Sequence, residues 1–474
     1  MSTLAIHNAR VIDPALGRDG IADIVIVDGR IARVGPNEGD AVIEADRIDA
    51  TGLVVTPGFV DLHTHLREPG FEYKETIASG TLAAARGGFT TVCAMPNTMP
   101  VLDSRAAVES VLREAESSGH VRVLPVGCIT AGRAGKELSP AGELARAGVV
   151  ALTDDGDAVG DASLMRHALE YSTVFGLPVA QHCEDPALVR DGHMHEGWVA
   201  TRLGLRGRPA SAEETMVARD IALAELAGAH LHIQHVSTAG SVAIIRAARA
   251  RGARVTAEVT PHHLTLTHEE VAFGSSTDFR SIVYNANAKV NPPLREQVDV
   301  EACIAALRDG VIDAVATDHA PHAVSDKQLE FDLAAAGISG IETAFGLLMT
   351  LVHSGQIELP TLIERLTAGP VRAWRLDRLP GLEGIGTLAP GALGDLVILD
   401  PNAEWVVDPT EFASMGKNTP LTGRTLRGRV MATVYGGKVV HALEGLAVRR
   451  DRLRDWCWPM EASTRAWGSV RLPG

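Results

Sequence analysis

The sequence predicts an α/β protein, a (β/α)8 barrel of the TIM type carrying a small β-sandwich domain built from both chain ends. Three observations predict it. Eight apolar, strand-like stretches alternate with helical ones between residues 53 and 317. A different texture of short, hairpin-joined strands occupies the start of the chain and returns near its end. Histidine and aspartate recur at the C-terminal ends of the central strands, where a barrel of this kind collects its functional groups.

Taken in order, Leu4 to Ile12 and Ile24 to Val34 read as strands, with Asp28-Gly29 as a hairpin turn. Their counterparts are 394–400, 404–408 and 430–440, so residues 1–55 and 381–442 are expected to form one β-sandwich. Residues 56–380 are expected to form the barrel. Its candidate strands are 53–62, 89–95, 121–128, 148–153, 178–182, 230–235, 254–259 and 311–317. Helical stretches separate them, among them Ala78 to Arg86, Arg105 to Ser117, Ala162 to Phe175, Glu213 to Ala227 and Ser241 to Ala250. Residues 443–474 form a charged, Trp-bearing extension that fits neither domain.

Composition narrows the function classes. The 474 residues are 46% hydrophobic and 22% charged, as in ordinary globular proteins. A net charge of -15 argues against a nucleic-acid or anionic-membrane coat. The five cysteines show no C-x-x-C spacing, which suits a reducing, cytoplasmic setting. No signal peptide and no membrane span is expected. Gly384 to Ala389 formally matches a dinucleotide fingerprint but follows no strand and runs into Pro390, and no Walker A motif is present.

The chemistry lies at the strand ends. His63 and His65, two apart, would project together from the first strand. Asn97 follows the second, Asp154-Asp155 the fourth, His182 ends the fifth, His235 the sixth and Asp318 the eighth. Four imidazoles with one or two carboxylates suit Zn²⁺, with Mn²⁺ or Co²⁺ as substitutes. Two ions need a bridge, and Asp155 is placed to provide it, since no lysine lies in 149–153 to be carbamylated. The reaction class this predicts is metal-assisted hydrolysis, with Asp318 moving the proton.

The run Asp61-Leu62-His63-Thr64-His65-Leu66-Arg67-Glu68-Pro69-Gly70 resembles the amidohydrolase superfamily. With Ala94-Met95-Pro96-Asn97-Thr98, Val290-Asn291-Pro292-Pro293-Leu294-Arg295 and Ala316-Thr317-Asp318-His319-Ala320-Pro321-His322, it is similar to dihydroorotases of the longer bacterial type. The resemblance runs from about residue 2 to 442. It implies interconversion of dihydroorotate and N-carbamoyl-aspartate in pyrimidine synthesis. It implies two zinc ions held by His63, His65, Asp155, His182, His235 and Asp318, with Asp155 shared. Arg67, Asn97 and His322 would hold the substrate carboxylate, a role suited to a planar guanidinium. Asn291 would contact the ring amide, and His65 and Asp318 also face the substrate. Backbone groups around Ala336-Gly337 would close over it, with Val324 to Ala335 as a mobile loop. Ala336 stands where relatives often carry Phe. A homodimer and association with aspartate transcarbamoylase are further implications.

Other residues carry blander expectations. Asp154 and Asp155 are equivalent by type, and it is the resemblance that prefers Asp155 as ligand and leaves Asp154 to cap the following turn; His262 and His263 read as supporting residues, and His319 as packing beneath the site. Cys183 should face away from the site. His7, His120, His167, His193, His195 and His353 read as surface residues. Competing functions are another cyclic amidase, hydantoinase- or allantoinase-like, and a non-catalytic scaffold partner of the transcarbamoylase. The first typically uses a carbamylated lysine, and the second usually loses its ligands.

Overall fold

A computed structural model describes residues 3–36, 45–273, 283–444, 446, 448 and 449. Of the expected extension 443–474, the start is described: Val448–Arg449 pairs antiparallel with Arg47 and Ile48, a correction to the expectation that it fits neither domain, and the Trp-bearing part lies outside the described residues.

Strand and helix alternate as the periodicity expects. Helices Ile77–Arg86, Arg105–Ser118, Ala162–Phe175, Ser211–Ala227 and Ala239–Ala250 match the helical stretches closely. Their starts carry the expected signals: the side chains of Thr76, Ser104, Asp161 and Thr238 accept backbone N–H groups of the first turn.

The strands between them pair in parallel, one after another. Phe59–Thr64 pairs with Phe89–Ala94, and that with Arg122–Pro125. Single bridges join Gly127 to Leu152 and Leu152 to Val179. Val179–Gln181 pairs with Leu231–Ile233, then Val255–Val259, then Ala314–Val315. A parallel bridge between Thr64 and His319 returns the series to its first strand. Asp61 fastens that junction: its buried carboxylate accepts the backbone N–H groups of His63 and Thr317 and the hydroxyls of Thr64 and Thr317. All these strands run the same way, so their C-terminal ends share one rim.

Two expectations need correction. Residues 53–62 are not one strand. Val54–Pro57 joins the terminal sheet and Phe59–Thr64 starts the parallel series. The break falls at Pro57-Gly58, where Gly58 N donates to Asp395 O. A Cβ at Gly58 would lie 2.1 Å from Thr90 Oγ1 and 2.8 Å from Thr90 Cβ, so only glycine lets the chain turn between the sheets there. Nor do residues 148–153 form a full strand. Val150 and Thr153 donate to Pro125 and Gly127, and Leu152 donates to Pro178. The segment is extended and bonded to both neighbours, but its ladder is too short to count beyond the bridges at Leu152.

The chain ends meet in one branched, nine-stranded sheet. Thr3–Asp13 pairs antiparallel with Arg18–Val27 and parallel with Asp46–Asp49 and Val54–Pro57. Val54–Pro57 pairs antiparallel with Leu396–Val406, which leads to Thr425–Tyr435 and Lys438–Ala442. This sheet has its own apolar core, including Ile6, Ile24, Ile48, Val55, Leu396 and Val434. In the parallel series, Val60, Leu62, Cys93, Met95, Val126 and Ala180 pack in one cluster. Phe59 and Phe89, from the same strands, pack among the helices in another.

Candidate metal centre and active site

Six side chains converge at the shared rim. His63 Nε2 lies 3.2 Å from Asp155 Oδ1 and 3.5 Å from Asp318 Oδ1. His65 Nε2 lies 3.0 Å from Asp318 Oδ1 and 3.4 Å from Asp155 Oδ2. His182 Nδ1 and His235 Nε2 face each other at 2.8 Å and stand 3.7 and 3.6 Å from Asp155 Oδ1. All six are buried. His63, Asp155 and His235 could share one cation, and His63, His65 and Asp318 another.

The outward nitrogens fix which atoms point in. Glu258 Oε1 accepts from His63 Nδ1 at 2.7 Å, Asn97 Oδ1 from His65 Nδ1 at 2.9 Å, and Glu184 Oε2 from His182 Nε2 at 3.1 Å. Each ring so held turns its other nitrogen to the centre. There, His63 Nε2 and Asp155 Oδ1 are buried with no hydrogen-bond partner, an arrangement costly without a cation. The electrostatics agree. Burial opposes charge on His63, yet Asp155 and Asp318 hold its pKa well above the usual histidine value. Burial likewise opposes the Asp155 carboxylate, but His63, His182 and His235 hold it well below the usual range. The residues present fit a metal centre.

Beside the centre is a cavity of about 120 Å³. His65, Asp155, His182, His235 and Asp318 form its floor, and Arg67, Asn97, Asn291, His322, Ala336 and Gly337 its walls. His63 is packed behind this surface. Arg67 is half-buried, and the desolvation of its guanidinium pushes its pKa down to about 10, so it remains a cation at neutral pH. Its Nε donates to Pro321 O at 3.1 Å. His322 Nε2 donates to Ala336 O at 2.9 Å, and Lys74 Nζ stands 3.3 Å from its Nδ1. Burial, then Arg67, Lys74 and Lys327, push the His322 pKa down to about 2, so the ring is neutral. Arg67, His235 and Asp318 have left-handed backbone with φ of 63°, 33° and 45°, and such strain in side-chain-bearing residues gathers at working sites.

Comparison with known proteins settles the family. A family model described as "Dihydro-orotase-like" matches residues 52–241. A dihydroorotase of Anaeromyxobacter sp. (strain K) is 54% identical over 447 residues, covering 94% of this chain and 99% of that protein. The chain belongs to the dihydroorotase family. A dihydroorotase of Pelotomaculum thermopropionicum is 50% identical, covering 92% of this chain and 98% of its own. Among solved structures, the L-hydantoinase (dihydropyrimidinase) of Arthrobacter aurescens superposes with a TM-score of 0.80 over 93% of this chain and 96% of its own, at 24% identity. The dihydropyrimidinase of Brevibacillus agri NCHU1002 gives 0.79 at 22%, covering 94% and 97%. The α/β fold is that of these enzymes.

Within the site, the structure separates the neighbours that sequence left side by side. Asp154 does not cap the turn that follows it. Its carboxylate faces away from the centre and accepts Ile129 N at 2.8 Å, Thr130 N at 3.0 Å and the Thr130 hydroxyl. His263 is tied to Thr260 and Pro292 O, His319 lies 3.5 Å from Glu75, and Cys183 is buried in the apolar cluster opposite His182. His195 is a correction, because it is buried rather than a surface residue. With His268 and Glu296 it could frame a further cation site. Arg295 Nη1 donates to its Nδ1 at 3.2 Å, which leaves Nε2 protonated and the guanidinium alongside, so this triad is a poor ligand set.

Sequence reasoning missed Glu258 and Glu184. Glu258 did carry a signal: a carboxylate inside the apolar run Val255-Thr256-Ala257-Glu258-Val259 must be paired if buried. Its partner, 195 residues away, was not legible.

Proposed function

We propose that this cavity interconverts L-dihydroorotate and N-carbamoyl-L-aspartate, the metal-dependent hydrolysis of a cyclic amide and its reverse. The observation that carries the site assignment is the convergence of four inward imidazole nitrogens and two carboxylates beside the half-buried Arg67 guanidinium. His63, His65, Asp155, His182, His235 and Asp318 would hold two zinc ions, with Asp155 shared because it approaches all four rings. Bound metal would supply a nucleophile at neutral pH and polarise the attacked carbonyl. Asp318, held low by the rings around it despite its burial, accepts the proton of the attacking water and passes it to the leaving ring nitrogen. Arg67 and Asn97 grip the substrate carboxylate. His322 joins them once its N–H is released from Ala336 O. Asn291 meets the ring amide, and backbone groups of Ala336 and Gly337 cover it.

In this reading the parallel series is a (β/α)8 barrel over 56–380, and 1–55 with 381–442 make a β-sandwich, leaving 443–474 as an extension. The enzyme works in the cytoplasm as a homodimer able to associate with aspartate transcarbamoylase, as the family resemblance implies. Among the described residues, no helix is long and apolar enough to cross a membrane.

The test is hydrolysis of L-dihydroorotate by metal-replete protein, with hydantoin as the rival substrate. Asp318→Asn is expected to lose at least ~100-fold in kcat while keeping its fold. Turnover of hydantoin but not of dihydroorotate would overturn the substrate assignment.

A further inference from the structure

Two buried lysines hold the same stretch of backbone beside the cavity. Lys289 stands two residues before Asn291, which lines the cavity. Its Nζ donates to Phe331 O at 2.8 Å and to Asp332 O at 2.9 Å, and its own carbonyl accepts Gly337 N at 2.8 Å. Lys327 ends the short helix Val324–Lys327. Its Nζ donates to Ala335 O at 2.7 Å and to Gly337 O at 3.1 Å.

Carbonyl oxygens, rather than carboxylates, receive both amino groups, and burial pushes the pKa of Lys289 down to about 8 and that of Lys327 to about 7. Lys289 is 5% exposed and Lys327 7%. Burying an ammonium is costly, and carbonyl dipoles offset that cost less well than a counter-ion does. The two also repel each other. Both costs fall on one segment, 331–337, whose last two residues wall the cavity. The same segment is held from the cavity side by His322 Nε2 on Ala336 O. At Gly337, φ is 144° and a Cβ would lie 2.7 Å from Ala320 Cβ, so the wall fits tightly against the strand end once placed.

We propose that Lys289 and Lys327 are positioning residues for substrate binding: they pin 331–337 as the wall of the cavity and thereby set affinity for the substrate rather than the rate of chemistry. The kinetic half of this rests on the dihydroorotase reading above.

The test uses the zinc-loaded full chain and the variants Lys289→Met and Lys327→Met, which keep side-chain length and remove the donors. Each is expected to raise KM for L-dihydroorotate ~10-fold with kcat within ~3-fold, and to speed amide hydrogen exchange of 331–337 at unchanged metal content. An unchanged KM with unchanged exchange would overturn the proposal. So would equal loss of kcat and metal, which marks a purely structural role. If the Met variants do not fold, Lys327→Gln, with a shorter donor, takes their place under the same criteria. The wild-type holoenzyme gives an arm independent of activity. The amides of Leu333, Ala334, Ala335 and Gly337, which donate to Glu330 O, Asp326 O and Lys289 O, should be protected, and exchange at the unprotected rate would sink the proposal without any variant. A wild type inactive on dihydroorotate but protected at these amides would count against the proposed reaction and leave the pinning standing.

Discussion

At Glu258 one carboxylate orients two imidazoles. Oε1 holds His63 Nδ1 at 2.7 Å and Oε2 holds His232 Nε2 at 3.1 Å. Burial raises the cost of its charge, but His232 and His63 hold its pKa down at about 2. Glu258→Gln removes the charge that fixes the His63 tautomer. Competition with a chelator should show metal affinity falling by ~10–100-fold with little change in secondary structure. That these six side chains converge was legible in the sequence, since a parallel strand order puts every C-terminal strand end on one rim. The choice between adjacent residues was not. Asp154 and Asp155 are identical in type. Only the N–H groups of Ile129 and Thr130, reached through the fold, decide that Asp154 turns away.

Among the elements, the segment at 53–62 shows where local pattern misleads. A continuous apolar run reads as one strand, yet its halves serve two sheets because Thr90 occupies the space a side chain at 58 would need. Gly58→Ala should therefore cost about 1–3 kcal/mol, read as a lower urea midpoint at unchanged slope. An unchanged midpoint would mean that the Thr90 strand gives way freely. Helix limits were read to within a residue or two because caps are local chemistry. The strand ladders are shorter than the sequence expects because their length depends on the register of distant partners.

For the whole molecule, burying four histidines and two aspartates at one point implies that metal and stability are linked. Chelation should lower the thermal midpoint by ~5 °C or more, restored by adding zinc back. The acid limb of stability has a second source. His230 is buried beside Thr256 Oγ1 at 2.9 Å, and burial, with His232 and nearby arginines, pushes its pKa down to about 3. The unfolded ring binds a proton below about 6.5 while the folded one does not, so this contribution is complete above that pH and is lost as pH falls towards 3. His230→Gln should flatten the decline in unfolding free energy by about 1.4 kcal/mol per pH unit between 6 and 4. Asp220 works the other way. Burial raises its pKa to about 6, so its penalty is relieved as pH falls, and for that reason the difference between wild type and variant is the quantity to measure.

The sequence by itself determined the alternation of strand and helix, the class of the metal centre and the six residues expected to ligate. Period, cap chemistry and side-chain type are local properties, and a parallel strand order converts them into one converging rim. The tertiary structure decided what depends on a distant partner. It split the strand at Gly58, turned Asp154 from the centre, supplied Glu258 and Glu184 as the groups that aim the imidazoles, and buried two lysines under the cavity wall. These are outcomes of burial and charge balance between segments far apart in the chain, where the cost of an unpaired polar group, and not its neighbours in sequence, selects the partner.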